Sequence, residues 1–114
     1  LKLNVSGAFH SPFMDEPSTQ FSEYLKQIKF KNPSFPVISN YEPSLCSDPN
    51  ELKIRLEKQM CNGVRWRETM DLMAKDSDLH IVEIGPSNVL SGLGKRHLKN
   101  VKISQVSSAD QITY

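Results

Sequence analysis

The stretch from residue 79 to residue 107 constrains the fold of this chain more than any other. It opens with "LHIVEIG", a short run rich in β-branched residues, and closes with "VKISQVS", in which apolar and polar residues alternate. Between them, "SNVLSGLGKRHL" places Leu90, Leu93 and Leu98 at helical spacing. Strands joined by a single helical crossover lie parallel in one sheet. We therefore predict a strand–helix–strand unit whose first strand is buried on both faces and whose helix is capped by Ser87.

The rest of the chain is predicted to add further strands and helices to this unit. The boundaries follow from apolar residues at helical spacing, from prolines that exclude a helix, and from side chains that can cap one. Strands that alternate with helices favour an α/β fold with a mainly parallel sheet. The predicted elements are a strand at 1–8, a helix at 14–28, a short strand at 37–39, a helix from Pro49 capped by Ser47 or Asp48, and a helix from Trp66 to about Lys75.

Charge and cysteine content narrow the classes of function. Fourteen Lys and Arg against thirteen Asp and Glu give a net charge of +1, spread along the chain, so no preference for nucleic acid or an anionic membrane follows. No apolar run approaches the roughly 20 residues that a membrane span needs. Cys46 and Cys61 have neither CxxC spacing nor a nearby pair of histidines. We therefore expect reduced thiols, no metal site and a single globular unit.

His10 is the first candidate for chemistry. It lies within "VSGAFHSPFM", on the connection between a predicted strand and a predicted helix, where catalytic side chains are often mounted. An imidazole takes up and returns a proton near neutral pH, which makes a general base one interpretation. A histidine that only hydrogen bonds to a turn is the alternative. His80, which opens a strand, and His97, in a basic last helical turn, are better explained by structure.

Gln59 is the second candidate, because it lies near a helix end where an amide can reach into a cleft. A solvent-exposed glutamine is the commoner alternative. The joint "IGPSN" either presents backbone N–H groups to an anion or is a plain strand–turn–helix connection. The sequence contains no GxSxG, GxGxxG or GxxxxGK[ST] motif, so it predicts neither a complete serine-based active site nor a nucleotide fold.

Four successive motifs resemble the C-terminal third of malonyl-CoA:acyl-carrier-protein transacylases, from residue 1 to about 107. They are "VSGAFHSPFM", "FPVISN", "LEKQMCNGVRW" and "VEIGPSNVLSGLGKR", in the order and spacing of that family. The resemblance implies that residues 1–114 form the C-terminal segment of the large acyltransferase subdomain, part of an α/β-hydrolase-like parallel sheet with flanking helices. A nucleophile-bearing part and a ferredoxin-like subdomain, absent from this sequence, complete the enzyme, so we expect this segment to be inactive alone.

The same resemblance implies a reaction in fatty acid synthesis and roles for three residues. A serine in a GHSxG motif takes a malonyl group from malonyl-CoA and passes it to the phosphopantetheine thiol of acyl carrier protein, without a cofactor. His10 matches the catalytic base. A main-chain carbonyl in the segment around Gln59 stands in for a triad aspartate and orients His10. Phe9 lines the substrate pocket and favours malonyl, because its ring fills the space that a methylmalonyl branch would need.

The resemblance also implies partners and a location. Carrier proteins are acidic, and Lys95, Arg96 and Lys99 form a candidate patch for one, with a solvated helix end as the alternative. We expect the cytoplasm in a bacterium, or a plastid or mitochondrion in a eukaryote. A segment without its neighbours is expected to associate through an exposed sheet edge. Two other functions stay open: a non-catalytic module of this fold that binds acyl carrier protein, and a free-standing α/β domain with an unrelated ligand.

Overall fold

The computed structural model describes residues 7–112, which fall into two compact units with a boundary between Thr69 and Met70. The strand predicted at residues 1–8 lies almost entirely outside the described residues. Short 3-10 turns occupy Pro12–Met14 and Ala109–Gln111. The helices and strands, in chain order, are α1 (Asp15–Gln27), α2 (Pro49–Gln59), α3 (Trp66–Met73), β1 (His80–Ile84), α4 (Val89–His97) and β2 (Lys102–Val106).

In the first unit, α1 packs against α2, and Leu25 is the buried residue of α1. The predicted start of α2 is confirmed. Pro49 occupies its first turn, where the missing N–H costs nothing, and the Asp48 carboxylate accepts a hydrogen bond from the Glu51 N–H at 2.7 Å. This cap fixes the start of α2, whose other end is at Gln59.

The buried residue of α2 is charged, which the apolar spacing did not indicate. Arg55 is 7% exposed, and its Nε donates to Glu51 Oε1 at 2.9 Å. Its Nη1 donates to the carbonyl oxygens of Ser44 at 2.9 Å and Glu42 at 3.4 Å. A buried guanidinium with these partners holds the preceding loop against α2 and steadies the helix.

The strand predicted at 37–39 is reduced to one antiparallel bridge between Val37 and Cys46. Each backbone N–H of this pair donates to the carbonyl of the other, at 2.8 and 2.9 Å. The next hydrogen-bonded pair of a ladder would be Ser39 and Ser44, but the Ser44 N–H donates to the Glu42 carbonyl at 2.9 Å instead. The prediction of a strand was therefore wrong in extent, although the chain is extended there.

In the second unit, β1 and β2 pair in parallel from His80↔Lys102 to Ile84↔Val106, and α4 packs on both strands. This confirms the predicted strand–helix–strand unit and the α/β class. Gly94 permits the close approach of helix and sheet, because a Cβ there would lie 3.0 Å from Ile103 Cδ1.

Two predictions for this unit are wrong. β1 is not buried on both faces: Ile84 is 82% exposed and Val82 is 43% exposed. The described residues cover the sheet with α4 on one face only, so side chains that alternate to the other face stay in solvent. Ser87 is not the helix cap, since Asn88 occupies that position without a side-chain bond. Association through the exposed sheet stays a prediction. No helix within residues 7–112 is both long and apolar enough to cross a membrane.

Candidate active site

His10 is fixed by its backbone and its ring to the end of α2. Its φ of 65° lies in the left-handed region, which is uncommon for a residue other than glycine. The His10 backbone N–H donates to the Met60 carbonyl at 2.8 Å. The ring Nδ1 lies 3.0 Å from the Gln59 carbonyl oxygen. Two successive carbonyls of one helix end thus hold both the position and the orientation of the imidazole.

Four successive carbonyl groups at the end of α2, from Glu57 to Met60, have hydrogen-bond partners. The Glu57 carbonyl accepts from Met60 N at 3.4 Å, the Lys58 carbonyl from Asn62 Nδ2 at 2.7 Å, and the next two carbonyls face His10 as described. Carbonyls at a helix C-terminus carry the negative end of the helix dipole, which favours a cation beside them. The His10 ring therefore faces the main-chain carbonyls of a helix C-terminus.

The Gln59 side chain reaches the same ring nitrogen as the Gln59 carbonyl does. Its Nε2 lies 3.1 Å from His10 Nδ1. Gln59 is half-buried and borders an open cavity of about 450 Å³, whose lining includes Ile38, Leu52 and Leu56. The structure thus brings together two of the three residues singled out in the sequence, although 49 positions separate them.

The other ring nitrogen of His10 is available for chemistry. Among the described residues, Nε2 has no hydrogen-bond partner, and the His10 side chain is exposed. An imidazole anchored at Nδ1 and open at Nε2 can take a proton from a group that approaches Nε2 and can return it. The geometry thus leaves Nε2 accessible for an exchange of a proton.

Phe9, the third residue singled out, precedes His10 on the same exposed connection. It is 61% exposed, and its ring lies against Gly7, where a Cβ would come within 3.0 Å of Phe9 Cε2. The ring is therefore placed by close contact with a residue that has no side chain, and it remains open to a ligand.

The other histidines and the cysteines form no second candidate site for catalysis or for a metal ion within residues 7–112. His80 Nε2 lies 3.0 Å from Ser104 Oγ, and His97 Nε2 lies 2.7 Å from Asp71 Oδ1, both within the second unit. Cys46 and Cys61 are free thiols. Over residues 7–112, no three His, Cys, Asp or Glu side chains are grouped so that they could hold a metal ion.

The "IGPSN" joint is closed to an external anion by a carboxylate of the chain itself. Glu83, 8% exposed, accepts from the N–H groups of Leu90 at 3.2 Å and Ser91 at 2.8 Å, at the start of α4. The Ser87 hydroxyl donates to the same carboxylate at 3.4 Å. Donors on Ser91 do most to hold the pKa of Glu83 below its ordinary value, against the opposing effect of burial. Of the two interpretations of this joint, the structure therefore supports the structural one.

Comparisons with known proteins identify relatives along nearly the whole chain. The malonyl CoA-acyl carrier protein transacylase of Synechocystis sp. PCC 6803 is 39% identical over 110 residues, which are 96% of this chain and 38% of the relative. Its crystal structure superimposes with a TM-score of 0.88 and covers 95% of this chain. The polyketide biosynthesis transacylase PksC of Bacillus subtilis is 37% identical over 105 residues, 90% of this chain and 35% of the relative.

A third relative was solved together with an acyl carrier protein. The malonyl-transacylase PlMCAT, in complex with the type II PKS acyl-carrier protein AntF, is 30% identical, with a TM-score of 0.87 over 96% of this chain and 36% of that one. A scan against models of protein families finds no match. The chain spans somewhat more than a third of the length of the relatives that it matches. In sequence and in fold, the chain is similar to a segment of the malonyl CoA-acyl carrier protein transacylases.

Proposed function

We propose that this chain is the histidine-bearing segment of a transacylase that moves a malonyl group from coenzyme A to the thiol of an acyl carrier protein. The observation that carries the proposal is the anchoring of His10 Nδ1 at 3.0 Å from the Gln59 carbonyl, which leaves Nε2 open. The similarity to named transacylases over 96% of the chain supports it. The relatives come from bacteria, which favours a bacterial cytoplasmic enzyme.

The proposed mechanism moves one proton through His10 in each half-reaction. Nε2 accepts the proton of a serine hydroxyl from outside this sequence while the serine oxygen bonds to the thioester carbonyl carbon of malonyl-CoA. The C–S bond breaks, and the imidazolium returns the proton to the departing sulfur, which leaves a malonyl-serine ester. His10 then takes the proton of the carrier-protein thiol, whose sulfur bonds to the ester carbonyl carbon. The C–O bond to serine breaks, and the imidazolium returns the proton to the serine oxygen.

A chimera tests the proposal directly. Residues 7–112 replace the matching segment of the Synechocystis transacylase, which supplies the remaining parts of the enzyme. We expect the chimera to transfer malonyl from malonyl-CoA to holo acyl carrier protein, whereas the 114-residue chain alone does not. A chimera that melts cooperatively but transfers no malonyl contradicts the proposal. If that inactive chimera still binds acyl carrier protein, the non-catalytic binding module becomes the better description.

The basic end of α4 supports a carrier protein as the partner. Lys95, Arg96 and Lys99 are exposed, and the last turn of α4 places two of them at the negative end of the helix. An acidic carrier protein would be drawn to this surface by charge complementarity, and its binding would weaken as salt is added.

Changing Phe9 to serine is expected to alter which acyl group the chimera accepts. If the ring occupies the space of a branch methyl, its removal should raise the ratio of methylmalonyl to malonyl transfer by about 10-fold to 100-fold. The ratio of kcat/KM values for the two thioesters measures this. Phe35, which is also exposed, provides the matched substitution and should leave the ratio unchanged. If the ratio is unchanged in Phe9→Ser, Phe9 does not line the substrate pocket.

A further inference from the structure

The open cavity of the first unit has one charged side chain in its lining among the described residues, and that side chain is Arg55. The cavity has a volume of about 450 Å³, and Arg55 is 7% exposed. No acidic side chain of the described residues lines it, and most of the lining is apolar: Phe30, Val37, Ile38, Leu52 and Leu56. An apolar cavity with one buried cation at its border suits an apolar ligand that carries a single negative charge.

The Arg55 guanidinium has donors left for such a ligand. Its N–H groups lie on three nitrogens, Nε, Nη1 and Nη2. Nε donates to Glu51, and Nη1 donates to the carbonyls of Ser44 and Glu42. Nη2 has no hydrogen-bond partner within residues 7–112. A buried donor without a partner costs free energy, and this cost is removed when an acceptor in the cavity binds to it.

The charges beside the cavity also favour an anion. Lys53 Nζ lies 5.6 Å from the centre of the Phe30 ring, which forms part of the lining. Glu51 is the ion-pair partner of Arg55, at 2.9 Å from its Nε. Two cations and one carboxylate leave a net positive charge at this place, and a positive field attracts an anionic ligand.

We propose that this cavity binds an aliphatic carboxylate of about eight carbon atoms, with its head group at Arg55 and its chain along Leu52 and Leu56. The N–H groups of one nitrogen suit a singly charged carboxylate, whereas a phosphate presents more acceptor oxygens than they can serve. Gln59 borders the same cavity and contacts His10, so the bound chain lies next to the candidate active site.

Titration of the ¹⁵N-labelled 114-residue chain with octanoate tests the proposal, with amide NMR spectra as the readout. We expect saturable shifts, largest at the residues that line the cavity, with a Kd of about 1 mM. Octanamide has the same chain without the charge and should bind about tenfold more weakly, because it lacks the charge-assisted hydrogen bond. Acetate, the head group without the chain, should cause no saturable shift. Equal affinity for octanoate and octanamide, or no saturable shift with octanoate, overturns the proposal.

Leu56→Glu places a negative charge in the cavity lining and leaves every partner of Arg55 in place. Leu56 is 43% exposed, so we expect α2 to stay folded. Ile54→Glu adds the same charge to the same helix, at a residue that is 44% exposed and outside the lining, and is the matched control. The affinity for octanoate should fall by about tenfold in Leu56→Glu and stay within about twofold in Ile54→Glu. Equal affinities in the two variants contradict the proposal.

The chimera shows whether the cavity stays accessible when the rest of a transacylase is present. Octanoate at about ten times its Kd should raise the melting temperature of the chimera by about 3 °C, because a ligand of the folded state stabilises that state. The same rise is expected in Ile54→Glu and none in Leu56→Glu. An unchanged melting temperature in the unmodified chimera contradicts the proposal. This readout needs no malonyl transfer, so a folded but inactive chimera contradicts the proposed function and still decides whether the cavity binds a carboxylate.

Discussion

Replacing His10 with asparagine is expected to lower kcat for malonyl transfer in the chimera by about a thousandfold, within the range that general acid–base catalysis contributes. Asparagine suits this test because it tolerates the left-handed backbone at φ 65° better than most residues do. Its side-chain nitrogen can also take the place of Nδ1 and donate to the Gln59 carbonyl. The variant therefore keeps the anchor to α2 and loses only the nitrogen that transfers the proton.

Two further variants separate the loss of a base from damage to the fold. His80→Asn makes the same substitution in the second unit, where the ring faces Ser104, and should keep kcat within about twofold. His10→Ala should be inactive and less stable than His10→Asn by about 1 kcal/mol, because alanine is disfavoured at positive φ. A His10→Asn chimera that keeps a tenth of the original kcat would show that His10 is not the base.

The local features of the fold could be predicted from the sequence because they depend on neighbouring residues. The Asp48 cap, the start at Pro49 and the parallel pairing of β1 with β2 all follow from short patterns. The burial of β1 could not be predicted in the same way. Whether Ile84 faces a core or solvent depends on what packs against the sheet, and an apolar strand has the same sequence in either case.

The candidate site shows a different limit. His10 was a candidate because it lies on the connection between a predicted strand and a predicted helix. Its partner Gln59 lies 49 residues further along the chain, and only the resemblance indicated that the two residues meet. The contact is made by a main-chain carbonyl. Because every residue has one, the residue type at this position does not predict the contact. The contributions of the Met60 carbonyl and of Asn62 were missed, since "CNG" indicated only that a helix ends there. The signal that was overlooked is an asparagine just after a helix end, whose side chain can donate to a free carbonyl, as Asn62 does.

Replacing Glu83 with glutamine is expected to lower the melting temperature at neutral pH by about 5 °C, typical of the loss of one capping interaction in a small domain. Glutamine has the same shape but presents an NH₂ group in place of one oxygen. Leu90 and Ser91 donate to different oxygens of Glu83, so at least one of their N–H groups would face another donor. Glu23→Gln, which removes an exposed ion pair with Lys26, is the control and should change the melting temperature by less than about 1 °C.

The same carboxylate should make the stability of the chain depend on pH. Donors on Ser91, and then those on Leu90 and Ser87, keep the pKa of Glu83 lower in the folded chain than its ordinary value. A carboxyl group with a lowered folded pKa binds fewer protons when folded than when unfolded, so its stabilisation is complete above the unfolded pKa and is lost as the pH falls toward the folded one. Melting curves from about pH 7 down to about pH 3, across the range where carboxyl groups titrate, should therefore show a steeper loss of stability for the unmodified chain than for Glu83→Gln, so that their melting temperatures converge in acid. A difference between the two that stays constant over this range would mean that the shape of the Glu83 side chain, and not its charge, holds the start of α4.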